Sequence, residues 1–370
     1  MAFTFAEGMY TVKIGKSDPV NTIMLEPNVV RMANGDIFAA YTTGGNFEPD
    51  LRNVTKYRIS SDNGRTWGEE KILFQHSTKG VYTPEISRVG DTIYAFTSGY
   101  TGRIGYEWDF ESFWSRSYDN GQTFTCPRSI GGPLPALRVK DTLELDDRIL
   151  FSCSWVQTVG DYWAPMNGDK DCIVAGNVIT HPKEEKWQDS KKTTCSVLIT
   201  DKDGSNPRLR GNMIADVTAG FCEPMLTTLA DGTIICFLRC NFEHRIYESR
   251  SYDKGETWTD VVPTDIPSAI SKFIFLKDSK GVHYLVHNAD PSGRRSPLSL
   301  WISYDDLKTF EKKIDLISSD GNSKIRYPIE YEEEGSMCCY PDGFIDEERG
   351  VLCFGWDDRH NIYYSEYKLP

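Results

Sequence analysis

The sequence predicts an all-β fold, a six-bladed β-propeller of four-stranded antiparallel blades, and three observations carry the prediction. An eight-residue pattern, S-x-D-x-G-x-T-W/F, occurs as SSDNGRTW (60–67), SYDNGQTF (117–124) and SYDKGETW (251–258), with a variant SYDDLKTF at 303–310. A second plan also recurs: an acidic residue beside proline opens one apolar strand, a Gly/Asp turn follows, and a second apolar strand returns. Helical periodicity is nearly absent. Self-similarity at a fixed spacing marks stacked repeat units, and a unit of about 50 residues with four strands is a propeller blade. Asp62 and Asp119 lie 57 residues apart, and Asp253 and Asp305 lie 52 apart. The 134 residues between Asp119 and Asp253 leave room for a unit without the motif.

Taken in chain order, MYTVKI (9–14) is expected to pair with the C-terminal IYYSEYKL (362–369). That pairing closes the ring and removes exposed strand edges, so residues 1–370 read as one propeller domain. Inner hairpins are expected at 25–43, 82–98, 135–155, 222–239, 271–287 and 340–356, which makes six blades. The eight-residue pattern itself reads as a tight turn. Its Asp binds nearby backbone N–H groups and its Gly takes a positive φ. The following Thr and aromatic start the next strand, with the ring tucked into the core. Folding explains the pattern fully, so it is architecture and not a site. In the fourth copy Leu307 stands where the others have Gly, and a distorted turn is expected there.

The 370 residues are 39% hydrophobic, enough for a large core, and carry a formal net charge of −13 with no Lys/Arg-rich run. Nucleic acid and anionic membrane are therefore disfavoured as partners. An anionic ligand would need arginines gathered locally against that field. The N-terminus shows no basic start followed by an apolar run, and no stretch approaches the roughly 20 apolar residues of a membrane helix. The ten cysteines show no zinc spacing, and Cys236 and Cys353 lie within apolar strands as small hydrophobes. A cytoplasmic location is expected, or secretion if a leader has been removed. No metal-ligand or phosphate-loop pattern is present, so no cofactor is expected.

The repeated boxes, the six blades and the fourth blade's EP…DG…R…S.D.G.TW resemble the sialidase (neuraminidase) superfamily and its BNR-repeat proteins over nearly the whole chain. The resemblance implies a glycoside hydrolase with a carbohydrate substrate. In that family a Tyr attacks the anomeric carbon, a Glu activates it, an Asp is the acid/base and three Arg grip a sugar carboxylate. A phenol is a weak nucleophile until a neighbouring carboxylate takes its proton, and Arg offers a flat fork that matches a carboxylate. Sialidases depart in this way from the two-carboxylate scheme of glycoside hydrolysis. By this resemblance Glu223 in FCEPML is the activating carboxylate and Tyr340 in CCYPDG the nucleophile. Arg239, ending CFLR, and Arg294 or Arg295 in HNADPSGRRSPLSLWIS are arginines of the grip.

Three departures qualify it. Leu25-Glu26-Pro27 stands where the family has Arg-Ile-Pro, Thr42 and Thr43 lie where a further arginine is expected, and GGNFEPDLRN offers Asp50, or Glu48, as the acid/base. Glu26, Glu85, Glu223 and Asp342 are expected to face one channel mouth. There they either raise one another's pKa, which suits a general acid, or bind strand-end amides. His287, beside Asn288, is a candidate base, while His360 in WDDRHN reads as a turn residue. The aromatic stretches 100–114 and 154–171 are either sugar-stacking platforms or covers. The sequence thus leaves three functions open. One is an exo-glycosidase on an acidic sugar, retaining through Tyr340. Another is a polysaccharide lyase or rhamnosidase-like enzyme on a rhamnose- or uronate-containing glycan. The last is a non-catalytic glycan-binding propeller.

Overall fold

The computed structural model describes residues 3–100, 111–129, 138–158, 171–174, 177–180, 191–213, 220–241, 243–319 and 328–370. It is all-β, and among the described residues six antiparallel blade sheets follow in chain order, with one further two-stranded sheet. Blade I comprises Met24–Arg31, Ile37–Thr43, Val54–Ser60 and Lys71–Phe74. Blade II comprises Gly80–Val89, Thr92–Tyr100, Glu111–Ser117 and Arg128–Ser129. Blade III comprises Arg138–Glu144, Arg148–Thr158, Lys191–Asp201 and Arg208–Met213; the small hairpin Asp171–Val174/Asn177–Thr180 falls between its second and third strands. Blade IV comprises Phe221–Thr228, Ile234–Cys240, Arg245–Ser251 and Val262–Pro267.

Blade V runs Ile274–Lys277, His283–His287, Leu298–Ser303 and Lys312–Ser319. The N-terminal Phe3–Phe5 adds a fifth strand to it, which the sequence reading did not foresee. Blade VI takes Cys339–Asp346, Val351–Asp357 and Asn361–Lys368 from the C-terminus, and Tyr10–Lys16 from the N-terminus as its outer strand. The expected ring closure is thus present, and its antiparallel register covers what would be an open edge. Consecutive inner strands touch around the ring, with blade VI closing on blade I.

Between blades the sheets pack through apolar faces, as alternating strand residues require. Phe237 of blade IV stacks on Phe275 of blade V at 3.9 Å between centroids. The eight-residue turns join the third and fourth strands. In the first copy Ser60 Oγ accepts the Gly64 N–H at 2.8 Å, and Asp62 accepts the Thr66 N–H at 2.8 Å and its hydroxyl at 2.6 Å. Gly64, at φ 78°, presses on the ring of Tyr364 in the preceding blade, leaving no room for a Cβ.

The fourth copy is not distorted. Leu307 adopts φ 63° after Asp306 at 62°, and its N–H still reaches Ser303 Oγ at 3.0 Å. Thr309 binds Asp305 as in the other copies. The turn's own hydrogen bonds hold a conformation that costs a residue with a Cβ about 1–2 kcal/mol. No helix of the described residues is long and apolar enough to cross a membrane.

Candidate active site

Four of the six inner strands begin with the same irregularity. Blades I, II, IV and VI carry a non-glycine residue at positive φ immediately before a proline: Glu26 (54°), Thr83 (55°), Glu223 (50°) and Tyr340 (53°). At each the inner strand gains one residue on its partner. Register jumps from Leu25 to Asn28 against Thr42 to Ala40, and likewise at Tyr82/Glu85, Cys222/Met225 and Cys339/Asp342. These are β-bulges, which re-aim a side chain at the cost of local strain. The residue before proline is ordinarily pushed to extended backbone, so a sequence reading has no reason to expect the twist. It brings Glu26, Glu223 and Tyr340 to one level.

Two residues further along, the equivalent positions bind blade to blade instead. Asn28 Oδ1 accepts the Ile86 N–H at 3.1 Å, Asp141 accepts the Leu226 N–H at 2.6 Å, and Asp342 accepts the Val29 N–H at 3.1 Å. Lys272 in blade V donates to Asp342 at 2.7 Å and faces Glu85 at 3.6 Å. The expectation that Glu26, Glu85, Glu223 and Asp342 share one mouth thus divides into two layers. Glu85 and Asp342 belong to the deeper one. That layer also lines a cavity of about 480 Å³ reaching toward the far end of the channel, with Ser87, Thr142 and Thr228 on its walls. Burial pushes the Glu85 carboxyl well up and that of Asp141 up to about 7.

The upper layer gathers charge around Tyr340. Arg239, at the end of blade IV's second strand, binds Glu223 through Nη1–Oε2 at 2.7 Å. Burial opposes a charge on Glu223, but the Arg239 guanidinium, with Lys140, holds its carboxyl down at about 2. Arg295, from the connection between the second and third strands of blade V, lies over the Tyr340 ring at 5.0 Å. Arg359, from the same connection of blade VI, lies at 5.4 Å from that ring. Its partner is Glu48, from the corresponding connection of blade I. Burial pushes the Tyr340 phenol up to about 12, against the pull of Arg295, Arg239 and Arg359. Glu26 sits beside these groups with Lys140 at 3.6 Å, and burial raises its carboxyl. Among the described residues no hydrogen bond joins the Tyr340 hydroxyl to Glu223. Arg239 links them, bonded to the carboxylate and within charge reach of the phenol.

Other sequence candidates lie elsewhere. Asp50 is tied into its own loop by Arg52 at 2.7 Å and by the N–H groups of Arg52 and Asn46, and Glu48 is the carboxylate of that loop that reaches the cluster. Arg294 is exposed and, among the described residues, reaches the Ser319 carbonyl at 3.4 Å, while Arg295 is buried. His287 packs edge-on to Trp301 at 4.7 Å, and burial holds its ring neutral, its pKa lowered to about 3. His360 is buried, its Nδ1 2.9 Å from the Thr22 carbonyl. The aromatic stretches 100–114 and 154–171 fall largely outside the described residues. Arg359 was missed altogether. Its signal was the run of polar residues in WDDRHN, where Asp357 and Asp358 cap the turn that presents it.

The comparisons agree with this architecture. Residues 78–348 match the BNR repeat-like domain family. No curated protein matches the chain. Among solved structures, a Dyadobacter fermentans protein of unknown function superposes with a TM-score of 0.70 at 16% identity, covering 99% of this chain and 100% of that one. The Hadza microbial sialidase Hz136 gives 0.72 at 15% identity, covering 97% and 68%. Trypanosoma rangeli sialidase gives 0.67 at 14%, covering 98% of this chain and 60% of that longer one. The chain belongs to the BNR repeat-like domain family and is built on the six-bladed propeller that sialidases share.

Proposed function

We propose that this protein is a retaining exo-glycoside hydrolase acting on an acidic sugar. The observation that supports this best is the set of three guanidiniums, Arg239, Arg295 and Arg359, around the buried phenol of Tyr340. Guanidiniums in a low-dielectric site bind a carboxylate bidentately and favour a developing phenolate. In this reading Tyr340 attacks the anomeric carbon, Glu223 accepts its proton, and Glu48 delivers a proton to the leaving oxygen. Burial raises the Tyr340 phenol to about 12 while Arg239 and Lys140 hold Glu223 at about 2, so these surroundings favour the proton on the phenol. Substrate must redistribute the arginine charge before the transfer. Glu26, in place of a further cation, suits a hydroxyl or amino group of the sugar.

The test is turnover of a panel of sialosides, 2-keto-3-deoxy sugars, rhamnosides and uronides, read by product mass. Hydrolysis adds one water and elimination does not. Tyr340→Phe is expected to lower turnover by more than about 10⁴-fold; full activity in that variant removes Tyr340 as nucleophile. A lyase needs a base for the C5 proton, and His287 faces Trp301 and Lys313 instead.

A further inference from the structure

The deeper layer of the channel holds three carboxyls, and two of them are fully engaged. Asp342 accepts the Lys272 ammonium at 2.7 Å and the Val29 N–H at 3.1 Å. Asp141 accepts the N–H groups of Leu226 at 2.6 Å and Thr142 at 2.7 Å. Glu85 is different. Its Oε2 has no hydrogen-bond partner, although the side chain is only 5% exposed. The cation it faces, Lys272, stands 3.6 Å away and is already bonded to Asp342. Lys140, the other ammonium of the layer, faces Glu26 at 3.6 Å. A buried carboxyl without a hydrogen bond is costly to keep, and it calls for a donor in the cavity that it lines.

That cavity, of about 480 Å³, is the size of a small-ligand site and is lined by none of Glu223, Arg239 or Tyr340. Its walls mix apolar Val30, Leu226 and Ile274 with the hydroxyls of Ser87 and Thr142, which bond each other at 2.7 Å. Around it Arg88 and Lys277 balance Asp278 and Glu347, so the unmatched charge lies with Glu85, Asp141 and Asp342. Among the described residues no three acidic, histidine or cysteine side chains are placed to hold a metal ion together. An ammonium, a compact charge with three N–H donors, asks for no such convergence and can serve one carboxylate. We propose that the far end of the channel is a second binding site, for a small molecule whose primary ammonium donates to Glu85 at the floor of this cavity. Burial disfavours a charge on Glu85, and an ammonium beside it restores the charged form, as Lys272 and Lys140 do in part against Asp342 and Asp141. The body of the ligand rests on the mixed walls, which admit an aliphatic amine or an amino sugar.

The test is calorimetric binding, at neutral pH, of n-butylammonium against n-butanol and of glucosamine against glucose, to the parent protein and to Glu85→Gln. The members of each pair differ chiefly in the ammonium group. At least one ammonium is expected to bind the parent more than about tenfold more tightly than its neutral counterpart, and E85Q to lose that difference. Tighter binding of glucosamine identifies an amino sugar, and tighter binding of butylammonium an aliphatic amine. A crystal of the parent soaked in the tighter ligand gives a reading that needs no variant: the nitrogen is expected at the Glu85 carboxyl. The inference is overturned if neither ammonium binds the parent, if each binds no more tightly than its neutral counterpart, if E85Q keeps the difference, or if the ligand lies at the Tyr340 cluster instead. Turnover is not read, so this site and the glycosidase reading stand or fall separately.

Discussion

The two ends of this propeller use repetition in opposite ways. At one end lie the eight-residue turns between third and fourth strands. Backbone and side chains repeat together there, because each turn satisfies itself within five residues: Ser to Gly, Asp to Thr. At the other end lie the bulges that open the inner strands. Backbone geometry repeats there, near φ 50–55° at four blades, but the side chains differ: Glu26, Thr83, Glu223, Tyr340. The groups that complete that end, Glu48, Arg239, Arg295 and Arg359, all come from second-strand ends or from connections between second and third strands. Strand direction places those on the bulge side and the turns on the far side. Repetition of sequence marks what holds the ring, and repetition of backbone with divergent side chains marks what the ring presents.

The largest expected effect that would break this contrast is functional. Tyr340→Phe should abolish turnover while leaving the melting curve within a degree or so of the parent. A large loss of stability instead would make position 340 a second structural staple. On the turn side the reverse holds. Gly64→Ala places a Cβ 2.1 Å from the Tyr364 ring at a positive φ, so denaturant unfolding should show a loss of about 3 kcal/mol, with the activity of the folded fraction unchanged. Gly35→Ala sharpens the point. Its φ is 91° but nothing lies within 4 Å of the new Cβ, so only the backbone term of about 1 kcal/mol should appear.

The smallest effect separates the two layers of the channel. Asp141 is raised to about 7 by burial, against the pull of the backbone N–H groups of Leu226 and Thr142. Its unfolded value is near 3.9. A raised carboxyl contributes stability that is present below that unfolded value and lost as pH rises through about 7. Stability should therefore decline from pH 4 toward pH 8, and Asp141→Asn should flatten that slope in chemical denaturation. Glu223 has the opposite sign. Held at about 2, its contribution is present above the usual Glu range and is lost only as pH falls through 2. If Asp141→Asn leaves the slope unchanged, Asp141 is not the group that titrates there.

The fold was legible because the turns are local. Asp62, Gly64 and Thr66 specify their own geometry, and their recurrence marks four blades, while the repeated inner hairpins supply blades III and VI, which carry no copy. Four members of the upper layer were legible as well. Glu223, Arg239, Arg295 and Tyr340 keep recognisable neighbours along the chain, and Arg294 was separated from Arg295 only by burial. Asp50 and Glu48 could not be told apart from sequence. They are two carboxylates two residues apart, and Arg52 with the Asn46 N–H captures the first, leaving the second to turn inward.

What the sequence by itself determined, then, is the ring: its six blades and the joining of the 10–16 strand to the last of them, set by short-range bonds and alternating apolar faces, though not the added strand Phe3–Phe5. What only the tertiary structure decided is the charge pattern at the channel mouth. Arg359 and Glu48 are 311 residues apart in the chain and in contact in space, and Glu26 and Glu85 share a motif yet occupy different depths. Ring closure creates those meetings. No local pattern encodes them, because each partner's position is fixed by its own blade and their contact only by the sum of all six.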